Sequence, residues 1–186
     1  MPEHRKTARS GRWRPGPGAQ LFRAVEAELG ELPLVAEDLG KVTGEVFALR
    51  DELGVAGMSV MIFGYDGARS NPHRLRNHLE NQVVYTGTHD MDTARGWYES
   101  APATVQEATG FDPAEPHWGL IDAAFSSRAR MALVQAQDVL GLGSDARMNY
   151  PGRAEGNWSW QLKKGQLTRA LAQRLRAVTE AHRRGR

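Results

Sequence analysis

Short apolar runs alternating with amphipathic stretches at a near-constant interval limit this chain more than any other feature of its sequence. Residues 34–36 (Leu-Val-Ala), 58–63 (Met-Ser-Val-Met-Ile-Phe), 82–86 (Gln-Val-Val-Tyr-Thr) and 132–136 (Ala-Leu-Val-Gln-Ala) each read as a strand. The first three begin roughly 25 residues apart, the length of one strand with its returning helix. The intervening segments supply the helices. Leu21, Phe22, Val25 and Leu29 recur at helical spacing before Gly30, and Thr43 is placed to cap a second helix carrying Val46, Leu49 and Leu53. Further helices are predicted over 93–98, over 118–125 after the Asp112-Pro113 turn, and in the last segment. There Leu167, Leu171, Leu175 and Val178 share one face opposite a basic one. The rhythm predicts an α/β fold with a parallel sheet. A doubly wound sheet and part of a (β/α)8 barrel both satisfy it, because each buries its strands on both faces.

With 186 residues, of which 40% are hydrophobic, the chain can bury a core of its own. Residues 1–18 are polar and end in Pro15-Gly16-Pro17-Gly18, which predicts a tail or loop; 19–181 form the folded part, and 182–186 a basic tail. The net charge is only +2, and much of the basic excess lies at the ends, in Arg5, Lys6, Arg9, Arg12 and Arg14 and in Arg183, Arg184 and Arg186. Without interleaved aromatic residues the C-terminal group reads as a solvated end, not a nucleic-acid footprint. The absence of cysteine excludes disulfides, thiolate metal sites and a cysteine nucleophile, and fits a reducing, cytoplasmic setting. The opening Met-Pro-Glu-His-Arg-Lys has no apolar region, and no stretch approaches the roughly 20 apolar residues of a membrane span.

Two acidic clusters follow predicted strands: Glu37-Asp38 after the first, and His89-Asp90 after the third. In a barrel, the C-terminal ends of the strands share one mouth, so two carboxylates there could face each other. Paired carboxylates suit glycoside chemistry, in which one acid protonates the leaving oxygen and another carboxylate attacks or stabilises an oxocarbenium-like centre. Glu37 suits the acid role if that mouth is partly dry, since desolvation raises a carboxyl pKa. The alternative is that Glu37 and Asp38 only cap the following turn. Trp97, Trp158 and Trp160 are open to two readings, sugar platforms or core.

Other signals point away from cofactors. Residues 141–146 fit the dinucleotide pattern G-x-G-x-x-G/A, but Pro151 arrives too soon for the helix that pattern needs. The six histidines lack metal spacing, and there is neither a Walker A motif nor a G-x-S-x-G elbow.

Read together, Gly11-Arg-Trp13, Gly16-Pro-Gly18, Leu34-Val-Ala-Glu-Asp-Leu-Gly40, Val84-Tyr-Thr-Gly-Thr-His-Asp90 with Asp92-Thr93, Arg147-Met-Asn149 and Gly156-Asn-Trp-Ser-Trp160 resemble consecutive landmarks of the amylomaltase (disproportionating enzyme) family of 4-alpha-glucanotransferases. The resemblance runs from about Gly11 to Leu171, in order and at matching spacing. It implies a (β/α)8 barrel that cuts an alpha-1,4-glucan and transfers the released segment to another sugar with retention, using no metal or organic cofactor. The implied partners are maltooligosaccharides or other alpha-1,4-glucans. By motif match Glu37 would be the general acid/base and Asp90 the carboxylate that stabilises the transition state. His89, Asp66 and Asn149 would contact substrate.

The chain departs from the family pattern at Met91, where a polar residue is common, and at Ile62, where Gln is frequent. It also contains no Arg-Ile-Asp-His-like segment, the place of the family's aspartate nucleophile. The resemblance therefore implies the fifth to eighth strands of the barrel, a C-terminal half inactive by itself. Such a half would expose apolar surface and a sheet edge, and so invite an N-terminal half-barrel partner or self-association. The alternative function is a glucan-binding module without chemistry, or half of a split enzyme.

Overall fold

A computed structural model describes Gly11 and residues 14–185; Arg12 and Trp13 of the first landmark, and the basic residues Arg5, Lys6, Arg9 and Arg186, lie outside the described residues. The chain forms two compact units, one ending at Val55 and one beginning at Ala56.

In the first unit, α1 (Ala19–Leu29) runs between Gly18 and Gly30, both at positive φ, and α2 (Gly44–Glu52) follows Thr43. The apolar stripe read on α1 is present, but none of its residues is buried, and Leu29 is 73% exposed. The strand expected at 34–36 is not formed: Val35 occupies a single bridge position, and both Leu34 and Val35 are exposed. Pro33 has no N–H to give to a ladder, and the Leu34 N–H is taken by Leu32 O at 2.9 Å, so the backbone turns instead of extending.

The second unit is built on a parallel three-stranded sheet in the order β1 (Gly57–Val60), β2 (Gln82–Tyr85), β3 (Met131–Leu133). Val60 pairs with Tyr85, and Tyr85 with Leu133. The ladder continues one step through the Thr86 N–H to Leu133 O, 3.3 Å. Central β2 matches its predicted place, and Val83 and Val84 are buried, as the parallel arrangement requires.

The other two strands are shorter than predicted. Beyond Val60 the chain coils into a 3-10 turn over Met61–Tyr65, because side chains of a neighbouring loop capture the backbone. His73 Nδ1 accepts from the Val60 N–H (3.2 Å), and Asn71 Nδ2 donates to Phe63 O (2.7 Å). Likewise residue 136, expected in a strand, opens the short helix α6 (Ala136–Val139).

Helices α3 (Ala94–Ser100), α4 (Ala103–Thr109), α5 (Pro116–Ser126) and α7 (Arg169–Ala181) complete the unit. Thr93 and Thr168 cap α3 and α7, accepting from Gly96 N–H (3.1 Å) and Leu171 N–H (3.2 Å). Helix α5 lies between two apolar clusters. Its Leu120 and Ala124 join Met61, Val84 and Ala94, whereas Trp118, Ile121 and Phe125 join Val139 under Leu171, Leu175 and Val178 of α7. Arg174 of α7 grips Glu115 through two nitrogens (2.6 and 2.7 Å) and lies 4.3 Å over the Trp118 ring. Arg184, read from sequence as solvated, instead serves Phe125 O (2.6 Å), Ala129 O (2.8 Å) and Ser127 O at the end of α5. Among the described residues no helix is long and apolar enough to cross a membrane.

Gly96 is required where α3 meets the 144–146 turn: a Cβ there would sit 2.3 Å from Ser144 Oγ and 2.7 Å from Asp92 Oδ1. Gly96→Ala should therefore destabilise the chain by about 1–3 kcal/mol in urea unfolding despite alanine's better helix propensity. An unchanged midpoint would contradict this packing.

Candidate functional site

The loop 87–93 leaves the C-terminal end of β2 and enters α3, and both its ends are held by one side chain. Asp138, within α6, is fully buried. Its Oδ2 accepts from the Thr86 hydroxyl (2.5 Å) and its Oδ1 from the Ala94 N–H (2.7 Å), one residue before the loop and one after it. Asp92 fixes the loop from within, accepting from Thr93 N–H (2.8 Å) and from the Ser144 hydroxyl (2.6 Å).

The loop displays His89 and Asp90. Asn149 Nδ2 donates to Asp90 Oδ1 at 2.5 Å, and His89 Nε2 stands 3.4 Å from the same oxygen. Asp90 Oδ2 has no partner among the described residues, and the carboxylate is partly exposed. The backbone is held as well: Arg147 donates to Asp90 O (2.7 Å) and to Asn149 O (2.9 Å) while its guanidinium lies 4.2 Å over the Tyr150 ring. Arg153 also lies 4.2 Å over that ring. Trp158 packs against His89 with ring centroids 5.0 Å apart. One carboxylate oxygen is thus held by an amide, with an imidazole nitrogen nearby, and the other is left to accept hydrogen bonds.

Three of the five residues singled out from sequence, His89, Asp90 and Asn149, therefore meet. Asp66 lies elsewhere in the second unit, exposed, in an open cleft of about 530 Å³ with Phe63, Tyr65, Asn71 and Trp97. Its Oδ1 accepts from Ala68 N–H at 2.9 Å. The Asn71 amide and that N–H hold its carboxyl below the usual value. Ile62 sits beside the start of the 87–93 loop, its Cδ1 3.8 Å from where a Cβ on Gly87 would lie. Glu37 belongs to the first unit and is exposed, with no hydrogen-bond or ion-pair partner among the described residues, so the dry setting considered for it is absent in this chain. Its neighbour Asp38 is bound to Arg50 of α2, which also reaches Asp51 (2.6 Å).

Sequence reasoning missed Asp138 and Tyr150, and assigned no role to Arg147 or Asn157, though both stand in family landmarks. The one signal for Asp138 was a carboxylate inside the apolar run 132–139, with no basic neighbour to answer it. Among the described residues no group of three or more His, Cys, Asp or Glu could hold a metal ion.

Residues 1–168 match the sequence profile of the family described as 4-alpha-glucanotransferase. The chain is 44% identical to the 4-alpha-glucanotransferase of Thermus thermophilus, covering 97% of this chain and 39% of that protein. It is 46% identical to the 4-alpha-glucanotransferase of Synechocystis sp., covering 98% of this chain and 37% of that protein. The solved structure of amylomaltase from Streptococcus agalactiae in complex with acarbose superposes with a TM-score of 0.89 at 31% identity, over 98% of this chain and 38% of that one. A parallel α/β sheet that presents a partly exposed carboxylate at a strand end is thus the class to which the molecule conforms. The chain belongs to the 4-alpha-glucanotransferase family, and it spans less than two-fifths of the length of these relatives.

Burial raises the Asp138 carboxyl above its ordinary value, offset in part by the Ala94 N–H and the Thr86 hydroxyl. A carboxyl with a higher pKa folded than unfolded takes up protons on folding. Its contribution is therefore fullest below the unfolded-state value, about 3.9, and is lost as pH rises through the folded one. Thermal midpoints taken from pH 4 to 9 should show that decline in the wild type and not in Asp138→Asn. The variant should also lose about 1–3 kcal/mol at pH 4 through an orphaned donor, a gap that narrows as pH rises. Parallel pH curves for the two proteins would contradict the assignment.

Proposed function

We propose that this chain is the C-terminal half of a retaining 4-alpha-glucanotransferase, contributing acid/base, transition-state-stabilising and sugar-binding groups to a (β/α)8 barrel completed by further polypeptide. The observation that carries the reading is the Asp90 carboxylate, with Oδ1 held by Asn149 beside His89 and Oδ2 left open. A carboxylate held this way can take two adjacent hydroxyls of a pyranose and, being anionic, stabilise the positive charge that develops at the anomeric carbon. Glu37 is the proton donor to the leaving oxygen and, in the second half of the reaction, the base that activates the acceptor hydroxyl. His89, Asn149 and Asp66 contact the sugar, and Ile62 and Met91 make the donor side less polar than is usual in the family. The nucleophile lies outside these residues. Without it no glucosyl-enzyme intermediate forms, and transfer by double displacement does not proceed.

Three structural features support a half-barrel that needs completion: the uncovered stripe of α1, the exposed Leu34 and Val35, and the exposed Met131 and Leu133 of edge strand β3. These surfaces suit an N-terminal half-barrel partner or, in its absence, self-association. We read 1–18 as a tail or loop, 19–181 as the partial barrel and 182–186 as a basic tail. The substrates are maltooligosaccharides and other alpha-1,4-glucans, and the cysteine-free composition suits the cytoplasm.

The test is to incubate maltotriose with the chain alone and with the portion of the Thermus thermophilus relative that the chain does not cover. Glucose and a ladder of longer maltooligosaccharides should appear only when both are present, and should fall at least 10²-fold with Glu37→Gln in the chain. A ladder from the chain alone that vanishes in Glu37→Gln would show that it holds its own nucleophile. Binding of glucan in both cases, with no ladder in either, would favour a binding module.

A further inference from the structure

Building on the proposed glucan site, we propose that Trp158 is a stacking platform for a pyranose ring beside Asp90. Trp158 has φ +59°, in the left-handed region that bulky side chains rarely enter. It is also 59% exposed, so the strained backbone secures no core packing for the indole. A large aromatic held in a costly conformation and left in solvent calls for a role other than stability.

The surroundings over-determine its position. The Trp158 N–H donates to Met148 O at 2.8 Å. Next to it, the Asn157 carboxamide accepts from Tyr150 N–H (2.9 Å) and donates to Arg153 O (3.0 Å), closing the loop on itself. Arg147, stacked on Tyr150, ties the same loop to the Asp90 backbone. The indole packs on His89 at 5.0 Å, and His89 stands 3.4 Å from Asp90 Oδ1. An apolar flat surface therefore adjoins a carboxylate with one open oxygen. That pairing fits a neutral sugar, which offers a C–H face to the indole and hydroxyls to the acid.

The two demands on residue 158 can be separated. Glycine takes φ +59° without strain but offers no ring, and phenylalanine keeps a ring at the same strain. Maltoheptaose is titrated calorimetrically into the wild-type chain, Trp158→Gly, Trp158→Phe and Asp90→Asn, with thermal midpoints measured on the same samples. Trp158→Gly should raise the midpoint yet bind at least about tenfold more weakly, while Trp158→Phe should stay within about threefold of wild type. A lowered midpoint in Trp158→Gly would assign the indole to the fold and overturn the proposal. So would wild-type affinity in Trp158→Gly; combined with weakened binding in Asp90→Asn, that result would remove the platform and leave the glucan site standing. No binding by the wild type would overturn the platform and the site together.

Discussion

Asp138 is buried without a basic partner among the described residues, and its two oxygens serve two different elements, the end of β2 and the start of α3. Taking a carboxylate out of water costs several kcal/mol, while each hydrogen bond to a charged group returns about 1.5–3 kcal/mol. The carboxyl is held because both donors arrive at fixed distances, and they do so only if the sheet, α3 and α6 are all in place. The part of the proposed site around Asp90 hangs from the loop so bracketed. Asp90 is presented by it, and Asn149, Arg147 and Trp158 reach Asp90 and His89 from the segment after α6.

This arrangement explains which parts of the fold could be read from the chain. Strand β2 was legible almost to the residue because it is central and its Val-Val pair is buried. The ends of β1 and β3 were not, because what stops them is not local. Val60 and Phe63 give up their backbone groups to His73 and Asn71, residues that periodicity places in a loop and endows with no particular reach. Residues 34–36 failed for a different reason. Apolar character there reflects surface that stays uncovered within these residues, and a pattern of hydrophobicity does not say what will cover it.

The site divides in the same manner. His89 and Asp90 follow a recognisable strand, so their location at a strand end was readable, and Asn149 came from the family landmark that holds it. That Asn149 would touch Asp90 across 59 residues was not readable from spacing. Arg147 was equally opaque: a guanidinium that binds two backbone carbonyls and covers a tyrosine ring looks in sequence like any surface arginine. The tryptophans illustrate the limit best. Trp118 is core and Trp158 is not, and only the sign of φ and the degree of exposure separate them.

The position of α5 between two clusters has a bearing on mutability. Most helices on a protein surface keep a solvent side on which substitutions accumulate without effect. Helix α5 keeps little of one, since Leu120 and Ala124 face one cluster, Trp118, Ile121 and Phe125 face the other, and Gly119 fits closely under Phe111. A change at one of these positions disturbs packing shared with the sheet or with α7, and compensation must come from another element. Neutral drift is therefore channelled elsewhere, towards Asp122 and Ser126 on the outer edge of α5 and towards the exposed faces of α4 and α7. Within this unit α5 has little freedom to vary, although none of the site residues lies on it.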